Sequence, residues 1–165
     1  MNNVLKKAYD DALFAYKYVG PRSRRPMTDL EKEVRRLSYG VKGGDPEDIR
    51  RVAEDLAGII PGDRSQATLI PIPGHTGETA SNLAIAQEIA RNTGASIKDV
   101  LKRQVGPSQR DARVAGGKTM SPEQFGMVST ERIDPETAYF VDNVLSSGAT
   151  IRAARDAVGG GRGLV

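Results

Sequence analysis

The stretch Tyr139-Phe-Val-Asp-Asn-Val-Leu-Ser-Ser-Gly-Ala-Thr-Ile-Arg-Ala-Ala-Arg-Asp-Ala-Val158, YFVDNVLSSGATIRAARDAV, decides the fold. Its start, Tyr139 to Val141, is apolar without alternation, the pattern of a strand buried on both faces. The polar pair Asp142 and Asn143 interrupts that run. A loop of small residues, Ser146 to Thr150, follows, and Ile151, Ala154 and Val158 then recur at helical spacing. A buried strand feeding a helix through a short loop belongs to a parallel sheet covered by helices.

The segments upstream repeat this order. ATLIPIP, a short apolar run, is followed by GHTGET and then by the helical ASNLAIAQEIARNTG, which Gly94 terminates. Before it, Asp45 is placed to cap a helix, Pro46 suits its first position, and Glu47 and Asp48 complement its positive end. Ile49, Val52, Ala53, Leu56, Ala57 and Ile60 make its apolar face, and Pro61-Gly62 stops it. A preceding helix within DLEKEVRRLSYGVKGG ends in a glycine-rich break. From Asn3 to Val19, helical spacing of Leu5, Ala8, Ala12, Ala15 and Val19 predicts an N-terminal helix ending at Gly20-Pro21. SIKDVL offers a further strand start, Lys102 to Pro122 reads as a long loop, and GRGLV begins a last strand. The expected organisation is an N-terminal helical or hood segment over 1–62 and an α/β core over 63–165, in one compact domain.

Composition limits the chemistry. The 165 residues are 38% hydrophobic and 27% charged, with a formal net charge of +3, as in a globular protein expected in the cytoplasm. No run reaches the roughly 18 apolar residues of a membrane span. With no cysteine and one histidine, thiolate and histidine-cluster metal sites are excluded, so any metal is expected to be held by oxygen, as magnesium is. The mild basicity suits an anionic small molecule or a nucleic acid. Its densest cluster, Arg22, Arg24 and Arg25, reads as a solvated loop or a nucleic-acid contact.

In parallel sheets, ligands gather beyond the carboxyl ends of strands, where helix starts present N–H groups. Ser146, Ser147, Gly148, Ala149 and Thr150 occupy that place as a phosphate cradle: the small side chains let backbone approach, and the hydroxyls donate. Asp142 and Asn143 can take sugar hydroxyls, because a carboxylate accepts and an amide accepts or donates. A sugar phosphate is therefore the ligand expected. The pair also suits a plain strand-ending turn in an ordinary α/β domain.

Val141 to Thr150 resembles the phosphoribosyl diphosphate (PRPP) motif of type I phosphoribosyltransferases: a hydrophobic strand, two acids, a short gap and Thr-Gly-x-Thr. Over roughly Arg35 to Val165 the chain is most similar to the ComF-like, competence-protein-F branch. RRLSYGVKGGDPEDIRRVAEDLAGII, LIPIPGHTGETASNLAIAQEIA and LKRQVGPSQ are similar to that branch's leading segment, diphosphate strand and loop, and Leu-x-Arg segment. It departs at Asn143 for the second acid, at Ser147 for the motif threonine, at Ala80-Ser81 for Arg-Gly before Asn82, and in lacking a cysteine-rich zinc segment.

The resemblance implies a type I phosphoribosyltransferase-like, mainly parallel sheet flanked by helices. It also implies transfer of ribose 5-phosphate to a nitrogen acceptor such as a nucleobase, with displacement of diphosphate. It gives Asp142 and Asn143 the ribose hydroxyls, Ser146 to Thr150 the 5-phosphate, and Gly74, His75, Thr76 and Gly77 the diphosphate. Magnesium would be bound through the ligand and Asp142. Arg103, with Arg110, Arg113 and Lys118, would supply positive charge, although basic residues in such a segment also suit solvent, as His75 does. The ligands implied are PRPP or a nucleoside monophosphate, with a nucleic acid or a protein as a further partner, no membrane, and a homo-oligomer. A non-catalytic PRPP- or nucleotide-sensing regulator of the same fold fits the same residues, as does an interaction domain with a vestigial site.

Overall fold

The structure, a computed structural model, describes residues 12–15, 25–103, 122–144 and 148–165. After a short first strand come two helices, each with its own start signal. In α1, Asp29–Gly43, Thr28 accepts the Glu31 N–H while the Glu31 carboxylate accepts the Thr28 N–H, a reciprocal capping box. Arg25 is ion-paired to that same Glu31, so this member of the basic cluster is spent on fixing the helix start. Arg22 and Arg24 lie outside the described residues.

Helix α2, Pro46–Ile59, starts as the sequence predicts, with Asp45 accepting the Asp48 N–H at 3.0 Å. Its entry is tight against α1. The buried Asp48 receives Arg36 through two hydrogen bonds of 2.8 and 3.0 Å, and a Cβ on Gly40 would fall 1.7 Å from Asp48 Oδ2. Only glycine leaves room there for the carboxylate.

The strands are β1, Ala12–Leu13; β2, Thr68–Pro71; β3, Ser96–Ile97; β4, Leu101–Arg103; β5, Met127–Ser129; β6, Ala138–Val141; and β7, Arg162–Leu164. Five of them form a sheet in the order β1-β7-β6-β2-β3, parallel at every pairing. Helix α3, Ala80–Thr93, carries the chain from β2 to β3, and α4, Ala149–Val158, carries it from β6 to β7. Glycines in the left-handed conformation, Gly94 and Gly159, end both helices.

Alternation along the strands sends side chains to two layers. Leu69, Tyr139, Val141 and Leu164 pack with Ile85 and Ile89 of α3, Leu56 of α2 and Val41 of α1. Ile70, Ile72, Ala138 and Phe140 pack on the other face with Ile151 and Ala154 of α4. Each fully buried leucine or isoleucine contributes about 1.5–3 kcal/mol, so the two layers hold the sheet between them. The architecture is α/β, a parallel sheet flanked by helices.

Two expectations are corrected. Ala12 and Leu13, expected within a helix from Asn3 to Val19, form edge strand β1, paired to Gly163 and Leu164 of β7. The pairing extends through Ala15 N–H to the Val165 carbonyl and Val165 N–H to the Leu13 carbonyl, both 3.0 Å. The helical spacing rested largely on alanines, which carry little hydrophobic weight, and long-range pairing with β7 overrides it. The rest of that segment lies outside the described residues. Lys102 and Arg103, expected at the start of a loop, belong to β4, which pairs antiparallel with β5. Positions 104–121, with Arg110, Arg113 and Lys118, lie outside the described residues. No helix among the described residues is long and apolar enough to cross a membrane.

Candidate functional site

The chain leaves β2 and β6 in opposite directions. After β2 it passes through α3 to β3 on one side; after β6 it passes through α4 to β7 on the other. Two neighbouring strands that diverge in this way open a crevice beyond their carboxyl ends, the usual ligand position in a parallel sheet. Ile72 N–H donates to the Val141 carbonyl at 3.0 Å, the last rung before the split. Beyond it lies a cleft of about 430 Å³.

Asp142 and Asn143, directly after β6, both line the cleft. Asp142 Oδ1 accepts the Asn143 N–H at 2.9 Å and the Asn82 side-chain amide at 3.4 Å. Burial pushes the carboxyl up to about 6, while those two donors, the positive charge of Lys42 and the Val144 N–H pull it downward. The site thus holds a carboxylate that is partly desolvated and oriented by its neighbours.

Helix α4 begins just past this pair. Gly148, its N-cap, has φ 72, a left-handed conformation in which side chains are strained. Thr150 lines the cleft, whereas the Ala149 side chain is buried beside Phe125, so its approach to a ligand is limited to backbone. Ser146 and Ser147 lie outside the described residues. Helix α3 also starts at the cleft, at Thr79, Ala80 and Ser81. The N-cap residues of α3 and α4, Thr79 and Gly148, make no side-chain cap bond, in contrast to those of α1 and α2. Helix starts turn partial positive charge on whatever occupies the crevice.

The segment after β2 folds as a turn, with Gly77 N–H donating to the Gly74 carbonyl at 3.1 Å and Gly74 N–H to the Glu78 carbonyl at 2.8 Å. Gly74, His75 and Thr76 line the cleft. Gly77 instead sits against the next wall, where a Cβ would be 3.7 Å from the Arg103 carbonyl.

Arg103 closes that wall. Its guanidinium lies 4.6 Å from the centroid of Phe125, a cation–π distance, and its Nε is buried without a hydrogen-bond partner among the described residues. Burial lowers its pKa and the charge of Asp142 raises it, yet arginine stays protonated.

Lys42, Phe125 and Glu78 also line the cleft and carried no local signal in the sequence. Lys42 arrives in the last turn of α1, through packing of α1 and α2 onto the sheet, and Phe125 arrives in a short 3-10 turn after the undescribed segment. Asn82 had only the motif resemblance to point to it.

Among the described residues no three His, Asp or Glu side chains converge as a metal cluster. The Asp142 carboxylate, which lines the cleft, is nevertheless the kind of oxygen ligand that magnesium takes, commonly one or two carboxylates together with phosphate oxygens of its ligand. Comparison of the chain with family models, with curated proteins and with solved structures finds no match.

Proposed function

We propose that the cleft binds PRPP and that the protein transfers its ribose 5-phosphate group to a nitrogen acceptor such as a nucleobase, as a type I phosphoribosyltransferase of the ComF-like branch. The observation that carries this reading is the meeting of Asp142 and Asn143 with the start of α4 in the crevice between β2 and β6. A carboxylate and an amide suit the ribose hydroxyls, and the helix start suits the 5-phosphate. The turn at Gly74 to Gly77, together with Arg103, suits a diphosphate.

In the reaction a nitrogen lone pair forms the new bond to C1 of the ribose while the bond from C1 to the diphosphate oxygen breaks, the electrons leave with the diphosphate, and the proton of the nitrogen passes to solvent or to the released diphosphate. Arg103 counters charge growing on the departing group, and Asp142 faces the cationic ribosyl centre. Asp142, with the ligand, would hold magnesium, which would supply Lewis-acid stabilisation of the same leaving group.

Asn143 favours a second reading, a non-catalytic sensor of PRPP or a nucleotide. An amide there accepts a hydroxyl but brings no charge to a cationic transition state. Calorimetry with PRPP and magnesium, followed by diphosphate release over a panel of nucleobases, separates the two. Binding with turnover supports the transferase; binding without turnover, restored by Asn143→Asp, supports the sensor. Absence of binding removes both.

A further inference from the structure

Asn82 stands at a three-way junction. It lies in the first turn of α3, and its Nδ2 donates to the carbonyl of Ile72 at 2.8 Å and approaches Asp142 Oδ1 at 3.4 Å. It therefore ties the end of β2 to the end of β6 at the point where backbone pairing stops. The orientation of the amide is fixed by chemistry: turned over, its oxygen would face a carbonyl and a carboxylate, both acceptors. With Asn143 N–H on the same Oδ1 at 2.9 Å, the Asp142 carboxylate is held by two donors from different segments.

The other end of the amide is not satisfied. Asn82 Oδ1 is buried and has no hydrogen-bond partner among the described residues. A buried acceptor without a donor carries a desolvation cost, which a residue serving packing alone would not need to bear. Asn82 lines the cleft, so a donor entering with a ligand is within the same enclosure.

We infer that Asn82 is a positioning residue that aims the Asp142 carboxylate at the hydroxyls of a ribose, and so sets the preference of the cleft for ribose over deoxyribose. The inference rests on the sugar-phosphate reading of the site. It assigns recognition of the hydroxyls to a pair joined across two strands, and it leaves the phosphate to the start of α4. A hydroxyl bound to a fixed carboxylate is a charge-assisted hydrogen bond, and loss of its alignment weakens it more than it weakens the phosphate contacts.

Amide NMR titrations with ribose 5-phosphate, 2-deoxyribose 5-phosphate and inorganic phosphate test this. The wild-type protein should bind ribose 5-phosphate about tenfold more tightly than the deoxy sugar, the scale of one hydrogen bond to a charged group. Asn82→Ala should bring the two sugars to nearly equal affinity while inorganic phosphate binds as before. Asn82→Ser, measured in parallel, serves if the alanine variant fails to fold, and should show the same loss of preference. A folded variant of either kind that keeps the wild-type ratio overturns the positioning role. Equal weakening of all three ligands also overturns it, since Asn82 would then only hold the cleft together. If the wild-type protein binds neither sugar phosphate, the reading of the site falls and the inference falls with it.

Discussion

At Gly148 one φ angle joins fold to chemistry. The value of 72° lets the chain turn from the strand end into α4 with no Cβ between the backbone and an approaching anion. Gly148→Val should therefore cost about 1–2 kcal/mol of stability from left-handed strain and abolish detectable binding of ribose 5-phosphate. A thermal melt checks the first and calorimetry on the folded variant the second; unchanged affinity would remove this loop from the site. The residue scale also shows what local sequence can carry. Asp142, Asn143 and Thr150 sit close together in the chain, so a strand, a polar pair and a small-residue turn revealed them. Lys42 and Phe125 reach the same cleft from distant segments, and no local pattern encodes a contact made only after helices have packed.

Among the elements, α2 was legible because its signals are short-range: Asp45, Pro46 and an apolar face repeating every three to four residues. Asp45→Ala should lower stability by about 1 kcal/mol, the worth of an N-cap, and leave ligand affinity unchanged, as urea unfolding and calorimetry would show. Gly40→Ala is a sharper perturbation. The new methyl would collide with the Asp48 carboxylate and push α1 from α2, displacing Lys42 in the last turn of α1. Both stability and affinity for PRPP should fall, with a loss of about 1–3 kcal/mol in urea unfolding from overpacking. A variant as stable as wild type would show that the two helices are free to separate there. Strands β1, β4 and β5 were not legible, because each is two or three residues long and exists only through its partner.

Over the whole molecule, the partly desolvated Asp142 sets its proposed role in binding against stability. Between the ordinary carboxyl value of 3.8 and about 6 the folded chain keeps a proton that the unfolded chain has released. Stability therefore falls as pH rises through that window and stays lower above it. Asp142→Asn should be more stable than wild type at pH 7 by on the order of 1–3 kcal/mol, with the difference vanishing near pH 4, and it should bind PRPP poorly. If Asp142 takes ribose hydroxyls as proposed, wild-type affinity for PRPP should decline as pH drops below about 6, where the acceptor loses its charge. Urea unfolding and calorimetry from pH 4 to 8 measure both; a variant less stable at pH 7 would contradict the burial cost.

The central pairing of β2 with β6 has a kinetic consequence. Asn82 and Asp142 are 60 positions apart, and the strands they follow meet only after the intervening chain has closed a long loop. Local helices such as α2 can form in microseconds, but the crevice does not exist until that distant docking is complete. During refolding, recovery of helical circular dichroism should precede recovery of PRPP binding, so the ligand acts as a stopwatch for the last step of assembly.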